Sequence, residues 1–253
     1  MLYKFSISFL TAILLTASMH AQEIVTLGPA ATEAGFYADK NIFPCRWRTK
    51  KRNIRITAIK DAEVERTTRA LSRALDKYPA ELLEKNLKKV YALATMSFYG
   101  LEYGGTYHKG KVYITNNGVE NGYTDTFIEG TFHHEFSSIL LKRYKRFFDK
   151  KAWIASNPDD FEYGDGGLAA LHTSNTSLQL DSALCNAGFL NQYSMASVEE
   201  DFNCFAESLF VSDEGFWDAW KANEAVKKKT DIIIRFYQHL SPIFTLEYFQ
   251  QQP

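Results

Sequence analysis

The segment Glu129-Gly130-Thr131-Phe132-His133-His134-Glu135-Phe136-Ser137-Ser138-Ile139-Leu140 sets an imidazole beside a carboxylate in a run with helical spacing. Wound at about 100° per residue, Phe132, Phe136, Ile139 and Phe147 fall within about 40° of the direction opposite His134. That stripe is expected to face the core and turn His134, Ser138 and Leu141 toward a cleft or solvent. His133 falls to the side with Leu140 and Tyr144, as a core residue or a support for its neighbour. A metal-dependent hydrolase helix needs two imidazoles one turn apart to hold one ion. It also needs a glutamate beside the first to deprotonate the water bound there. His134 and Glu135 fit this pattern, but Ser138 stands where the second imidazole belongs. A neutral hydroxyl is a poor zinc ligand. The competing reading of His134 is an ordinary half-buried histidine.

A second segment runs from Gly188 through Tyr193 to Glu200-Asp201-Phe202 and leads into another amphipathic helix. Phe202, Phe205 and Leu209 form its buried stripe, and Glu200 projects away from it. Ser197 and Glu200 also make a capping box, in which Glu200 would merely satisfy backbone amides. Tyr193 reads equally as a core residue in a chain with 14 tyrosines. Glu207 lies on the same helix face as Glu200, but two turns away, too distant for a simple substitute role. His172-Thr173-Ser174 could bring a replacement ligand from a loop. Tyr163-Gly164-Asp165-Gly166-Gly167 is too short and too poor in carboxylates for a calcium loop and reads as a turn.

Taken together, these segments resemble the gluzincin zinc-binding metallopeptidases of the lethal-toxin-like kind, found among exported bacterial proteins. The wording that carries the likeness is His134-Glu135 on one helix, then Tyr193 seven residues before Glu200-Asp201-Phe202. Gly104-Gly105-Thr106-Tyr107 leading into Val112-Tyr113-Ile114 is similar to the family's edge-strand approach. The likeness covers roughly Val90 to Phe210. It implies zinc held by His134 and Glu200, Glu135 as general base, and Tyr193 as hydrogen-bond donor to a developing oxyanion. It also implies a peptide or protein substrate lying along an edge strand at Lys111–Thr115. Two departures stand out: Ser138 replaces the second histidine, and Cys204 stands where the family carries a carboxylate that orients a ligand histidine. The set is therefore incomplete, and the alternative is an inactive descendant that binds a peptide or protein in the same cleft.

Lys4, the apolar run Phe5 to Ala17 and the short polar stretch Ser18-Met19-His20-Ala21-Gln22, with small Ala21 before polar Gln22, form a secretory signal peptide. A periplasmic or secreted location follows. Cleavage after Ala21 leaves 232 residues (253 less 21), read as one domain from Gln22. The apolar run is too short to span a bilayer of roughly 30 Å, and no other stretch approaches that length. A net charge of −1 supplies no field for nucleic acid. Lys142-Arg143, Lys145-Arg146 and Lys150-Lys151 read as the solvated, cation-rich end of a helix. Cys45, Cys185 and Cys204 are too few for a disulfide framework; in an oxidising compartment Cys185–Cys204 is the favoured pair.

The elements that must position the site follow from periodicity. Arg52–Ile59 alternates like a strand, Val64–Leu75 is helical, and Pro79 opens a second helical piece. Val90–Phe98 reads as one buried strand, and Lys111–Thr115 as a short strand closed by the turn Asn116-Asn117-Gly118. Thr126–Phe148 and Ser197–Phe210 read as helices, with Ile232–Leu240 part of a third and residues 157–175 a long loop. Strands first and helices later indicate an α+β fold: a small N-terminal sheet with helices, the His134 helix, then a mostly helical C-terminal part.

Overall fold

The computed structural model describes residues 23–173 and 177–252, so the signal peptide assigned to residues 1–21 lies outside the described residues. Its first part alternates strands and helices: β1 (Ile24–Leu27), β2 (Thr32–Gly35), β3 (Arg55–Thr57), α1 (Asp61–Asp76), α2 (Ala80–Asn86), β4 (Lys89–Leu93), β5 (Thr95–Phe98), β6 (Leu101–Glu102), β7 (Gly105–His108) and β8 (Lys111–Thr115). The rest is helical: α3 (Asp125–Tyr144), α4 (Lys150–Ile154), α5 (Gly167–Thr173), α6 (Ser182–Asn186), α7 (Val198–Val211), α8 (Glu214–Ala222), α9 (Glu224–Leu240) and α10 (Leu246–Gln250). This is the expected α+β order.

Five strands form a sheet in the order β1-β2-β4-β8-β7, and β3-β5-β6 form a second, smaller one. Side-chain alternation divides the large sheet between two cores. Val90, Ala92, Val112 and Ile114 face the helices, whereas Tyr91, Leu93 and Tyr113 face a cluster around Phe43 and Phe98. The single strand expected over Val90–Phe98 is two strands in different sheets. Ala94 separates them, its N–H donating to Thr57 O at 3.0 Å instead of continuing the β4 ladder. Lys111–Thr115 is not an edge strand either. It pairs in parallel with β4 on one side and antiparallel with β7 on the other, so Gly105–His108 is the edge. Lys109 at φ 47 and Gly110 at φ 83 turn β7 into β8. Two successive left-handed residues give the type I′ hairpin that matches strand twist.

The helix α3 packs against the sheet, α1 and α7. From Ile128 to Leu140 every residue except Glu135 is buried, so the two-faced helix expected from the sequence is in fact a buried central helix. It ends at Tyr144 and a short 3₁₀ turn follows, earlier than the expected end at Phe148. Its start is fixed by the Thr124 cap on Phe127 N–H and by Arg66 of α1, which binds Asp125 at 2.8 Å, Asn116 Oδ1 at 3.0 Å and Tyr123 O at 2.8 Å. The expected long loop contains the short helix α5. A buried pair ties the loops to α7. Lys229 of α9 donates to Asp201 Oδ2 and to Gly188 O, both at 2.7 Å, while Tyr163 OH and Trp153 Nε1 donate to the same carboxylate at 2.6 and 2.9 Å. No helix among the described residues is long and apolar enough to cross a membrane.

Candidate functional site

The helices α3 and α7 lie side by side, and the polar residues of each meet at His134. Its Nε2 is 3.0 Å from Glu200 Oε2 and its Nδ1 is 3.3 Å from Glu207 Oε2. Glu200, Cys204 and Glu207 recur every three to four residues and so line one face of α7. Burial alone would lower the His134 imidazole, but hydrogen bonding to Cys204, Glu200 and Glu207 outweighs it and raises the group well above the usual histidine range. The ring is an imidazolium held between two carboxylates. The capping box is half formed: Ser197 Oγ accepts from Glu200 N–H at 3.1 Å, but the Glu200 side chain goes to His134. Glu207 also does what its spacing seemed to forbid. Gly130 makes room for it, since a Cβ there would stand 2.6 Å from Glu207 Oε1.

Glu135 and Tyr193 line, with His134 and Glu207, one cleft of about 350 Å³. Its remaining walls are mostly aromatic and aliphatic, with Tyr123, Phe127, Leu171 and Leu178 on them and the start of β7 at Gly104 and Gly105. Among the described residues Glu135 makes no hydrogen bond. Burial pushes its carboxyl up to about 8; His134 opposes this, and Glu200, Glu199 and Glu207 add to it. The edge strand passes so close that a Cβ on Gly105 would stand 2.7 Å from both Glu135 Oε1 and Thr131 Cγ2, a contact only glycine permits. Tyr193 lies with its ring centroid 6.0 Å from that of His134, and a Cβ on Gly167 would meet Tyr193 OH at 2.3 Å and Glu200 Oε1 at 2.5 Å. Burial raises the Tyr193 phenol well above its ordinary range, so it stays a neutral donor.

Ser138 does not open on this cleft. It is buried, and its hydroxyl accepts from Asn203 Nδ2 at 2.6 Å, while Asn203 Oδ1 accepts from Ser137 Oγ at 2.6 Å. Beside them Tyr107 of β7 donates to Glu199 at 2.5 Å. Sequence reasoning missed Asn203, Tyr107 and Glu199. The i, i+4 spacing of Glu199 and Asn203 was visible, but not what would face them. His133 is a core residue as expected, with Nδ1 2.9 Å from Tyr78 OH and its ring stacked on Phe210 at 4.8 Å. His172 and Thr173 are exposed and do not line the cleft, and Ser174 of the same stretch lies outside the described residues. All three cysteines are free, against the expected Cys185–Cys204 bridge. Cys204 points instead at Asn191 Oδ1, 3.6 Å away, and at His134.

The donor set can be tested against zinc. Two ligands about 2.0–2.2 Å from a tetrahedral ion lie roughly 3.3 Å apart, and the 3.0 Å between His134 and Glu200 is close to that. A third donor is missing. Glu207 is on the opposite ring nitrogen, so it cannot meet Glu200 at one ion, and Ser138 is closed off by Asn203. Among the described residues no group of three or more His, Cys, Asp and Glu side chains is arranged to hold a metal ion. The residues present do not make a closed zinc site.

No family model and no curated protein matches this chain. A solved structure shares the fold: a "putative zinc-binding metallo-peptidase from Bacteroides caccae ATCC 43185", at 17% identity and a TM-score of 0.50, over 78% of this chain and 77% of that one. The chain therefore has a metallopeptidase-like fold, and at this identity the likeness extends to the fold alone.

Proposed function

We propose that this is an exported peptidase-fold protein that binds an extended peptide along β7, across Glu135, without a complete catalytic zinc site. The observation that carries it is the Ser138 hydroxyl closed by Asn203 at 2.6 Å, where a metal-site helix would present its second imidazole. His134 then serves as a charged strut between α3 and α7. Among the described residues the outer edge of β7 is unpaired. Because Thr115 N–H donates to Gly104 O, the alternation of an antiparallel ladder turns the backbone groups of Gly105 and Tyr107 outward, free to pair with an added strand. Burial outweighs the neighbouring His134 cation and pushes the Glu135 carboxyl up to about 8, so at neutral pH it keeps a proton to offer to a peptide carbonyl. The aromatic and aliphatic walls would take side chains of alternate residues.

The hydrolytic reading has one observation in its favour, the zinc-compatible separation of His134 and Glu200. In that reading both hold the metal, whose Lewis acidity would activate water; Glu135 would take the proton, and Tyr193 would donate to the oxyanion. Metal content and peptide turnover of the mature protein, purified with zinc supplied, decide between the two. The binding reading expects substoichiometric zinc, no turnover of a quenched peptide library, and retention of library peptides that compete for one site. One tightly held zinc per chain, with turnover abolished by Glu135→Gln, would overturn it. Export rests on residues 1–21, and N-terminal sequencing of native protein should read from near Gln22.

A further inference from the structure

The cleft described above touches the first residue of β7; a second groove, of about 680 Å³, touches its last two, Tyr107 and His108. The two differ completely in charge. Glu135 and Glu207 line the first beside the His134 imidazolium, whose single charge is shared by Glu200 and Glu207, and no lysine or arginine does. The second is lined by Arg46, Lys85, Lys88, Lys109, Lys142 and Arg143, with no aspartate or glutamate. These six cations come from four separate parts of the chain: the turn before β3, the end of α2, the β7–β8 hairpin and the end of α3. All six are exposed, and among the described residues none has a carboxylate within ion-pair distance. Unpaired cations gathered in a concave surface raise the local potential and attract anions. Aromatic side chains stand among them: Trp47 faces His108 at 5.2 Å between ring centroids, and Lys142 lies 5.9 Å from the Tyr107 ring. Partial burial and the neighbouring cations depress the His108 imidazole.

From this juxtaposition we infer that the peptide on β7 is charge-segregated, with an acidic stretch beyond one end that lies in the groove of Arg46, Lys88, Lys109 and Lys142. The inference rests on the proposed peptide cleft. The four residues of β7 span roughly 10 Å, so a strand paired to Gly105 and Tyr107 reaches the groove within two or three further residues. An acidic polypeptide fits better than a separate polyanion because the groove continues the same strand edge. A ligand that is acidic throughout would bring its charges toward Glu200 and Glu207, two carboxylates that share the one His134 cation, where like charges repel.

The test uses the mature protein and fluorescent ten-residue peptides measured by anisotropy. One peptide carries four glutamates at its N-terminal end, one carries them at its C-terminal end, and a control has them replaced by glutamine. One of the acidic peptides should bind about tenfold more tightly than the control at low salt. The advantage should shrink as salt shortens the screening length. It should vanish both in Lys88→Glu/Lys142→Glu and in Arg46→Glu/Lys109→Glu, two variant pairs that guard against one failing to fold. Equal binding of acidic and control peptides would overturn the inference and leave the cleft reading intact. If no ten-residue peptide binds, but hexaglutamate binds the wild type and neither variant, the cleft reading fails and the preference of the groove for acidic peptide stands. Binding of a heparin fragment without binding of hexaglutamate would overturn the inference in favour of a sulfated glycan.

Discussion

Glu207 reaches His134 from two turns beyond Glu200, its Oε2 lying 3.3 Å from the imidazole Nδ1, and so clamps the ring from the side opposite Glu200. Both contacts are charge-assisted hydrogen bonds across the α3–α7 interface. Glu207→Gln should therefore cost roughly 1–3 kcal/mol of stability, read as a shift in urea midpoint at neutral pH. Glu200→Gln should cost a similar amount, and the double variant should be non-additive because both act through one ring. A simple sum of the two single effects would show that His134 is not a shared strut.

Ser138 bears on whether the zinc set can be rebuilt by one substitution. From the helix wheel alone Ser138→His should restore the pair with His134, but the structure fills that space with Asn203. Overpacking a buried position typically costs about 1–3 kcal/mol, so Ser138→His alone should melt lower than the wild type, with or without zinc. Ser138→His combined with Asn203→Gly should recover part of that loss and gain a zinc-dependent rise in melting temperature. A single variant as stable as the wild type would contradict the packing described.

Lys229 and Asp201 form a fully buried pair, 2.7 Å apart. Lys229→Met leaves the carboxylate without its cation and should cost about 3–5 kcal/mol in denaturant titration. Adding Asp201→Asn removes the orphaned charge while keeping an acceptor for Tyr163 and Trp153. The double variant should thus be more stable than Lys229→Met alone. The reverse order would mean that the pair does not stabilise by charge.

Glu129 gives the pH dependence a sign. Burial works to raise its carboxyl, but the neighbouring His133 ring, 3.8 Å away, and the Lys77 ammonium at 2.5 Å outweigh it and hold the group at about 2, below the ordinary 4.5. A group depressed in the folded state contributes stability that is complete above its unfolded value and is lost as pH falls through its folded value. Stability should therefore decline between pH 4.5 and 2, and Glu129→Gln should flatten that slope while lowering stability at pH 7. Parallel curves for the two proteins across this window would refute the assignment.

What the sequence determined by itself was local. Periodicity was enough to place α1, α3 and α7, because each is specified by residues three or four apart, and Ser197 marked the start of α7. The order of strands before helices gave the α+β class for the same reason. His134 and Glu135 could be singled out from residue type and spacing, Glu200 and Tyr193 only through the family resemblance. Tertiary structure decided everything that depended on a partner far along the chain. Val90–Phe98 splits at Ala94 because Thr57 supplies a competing acceptor, and β8 is interior because β7 folds back on it through Lys109-Gly110. The reach of Glu207 to His134 depends on Gly130 on the facing helix, and the commitment of Ser138 on Asn203. The basic groove was legible only as Lys142-Arg143 at a helix end, since its other cations arrive from segments as distant as Arg46. Spacing fixes which residues share a face, but what that face meets is set by packing between elements that the sequence does not place side by side.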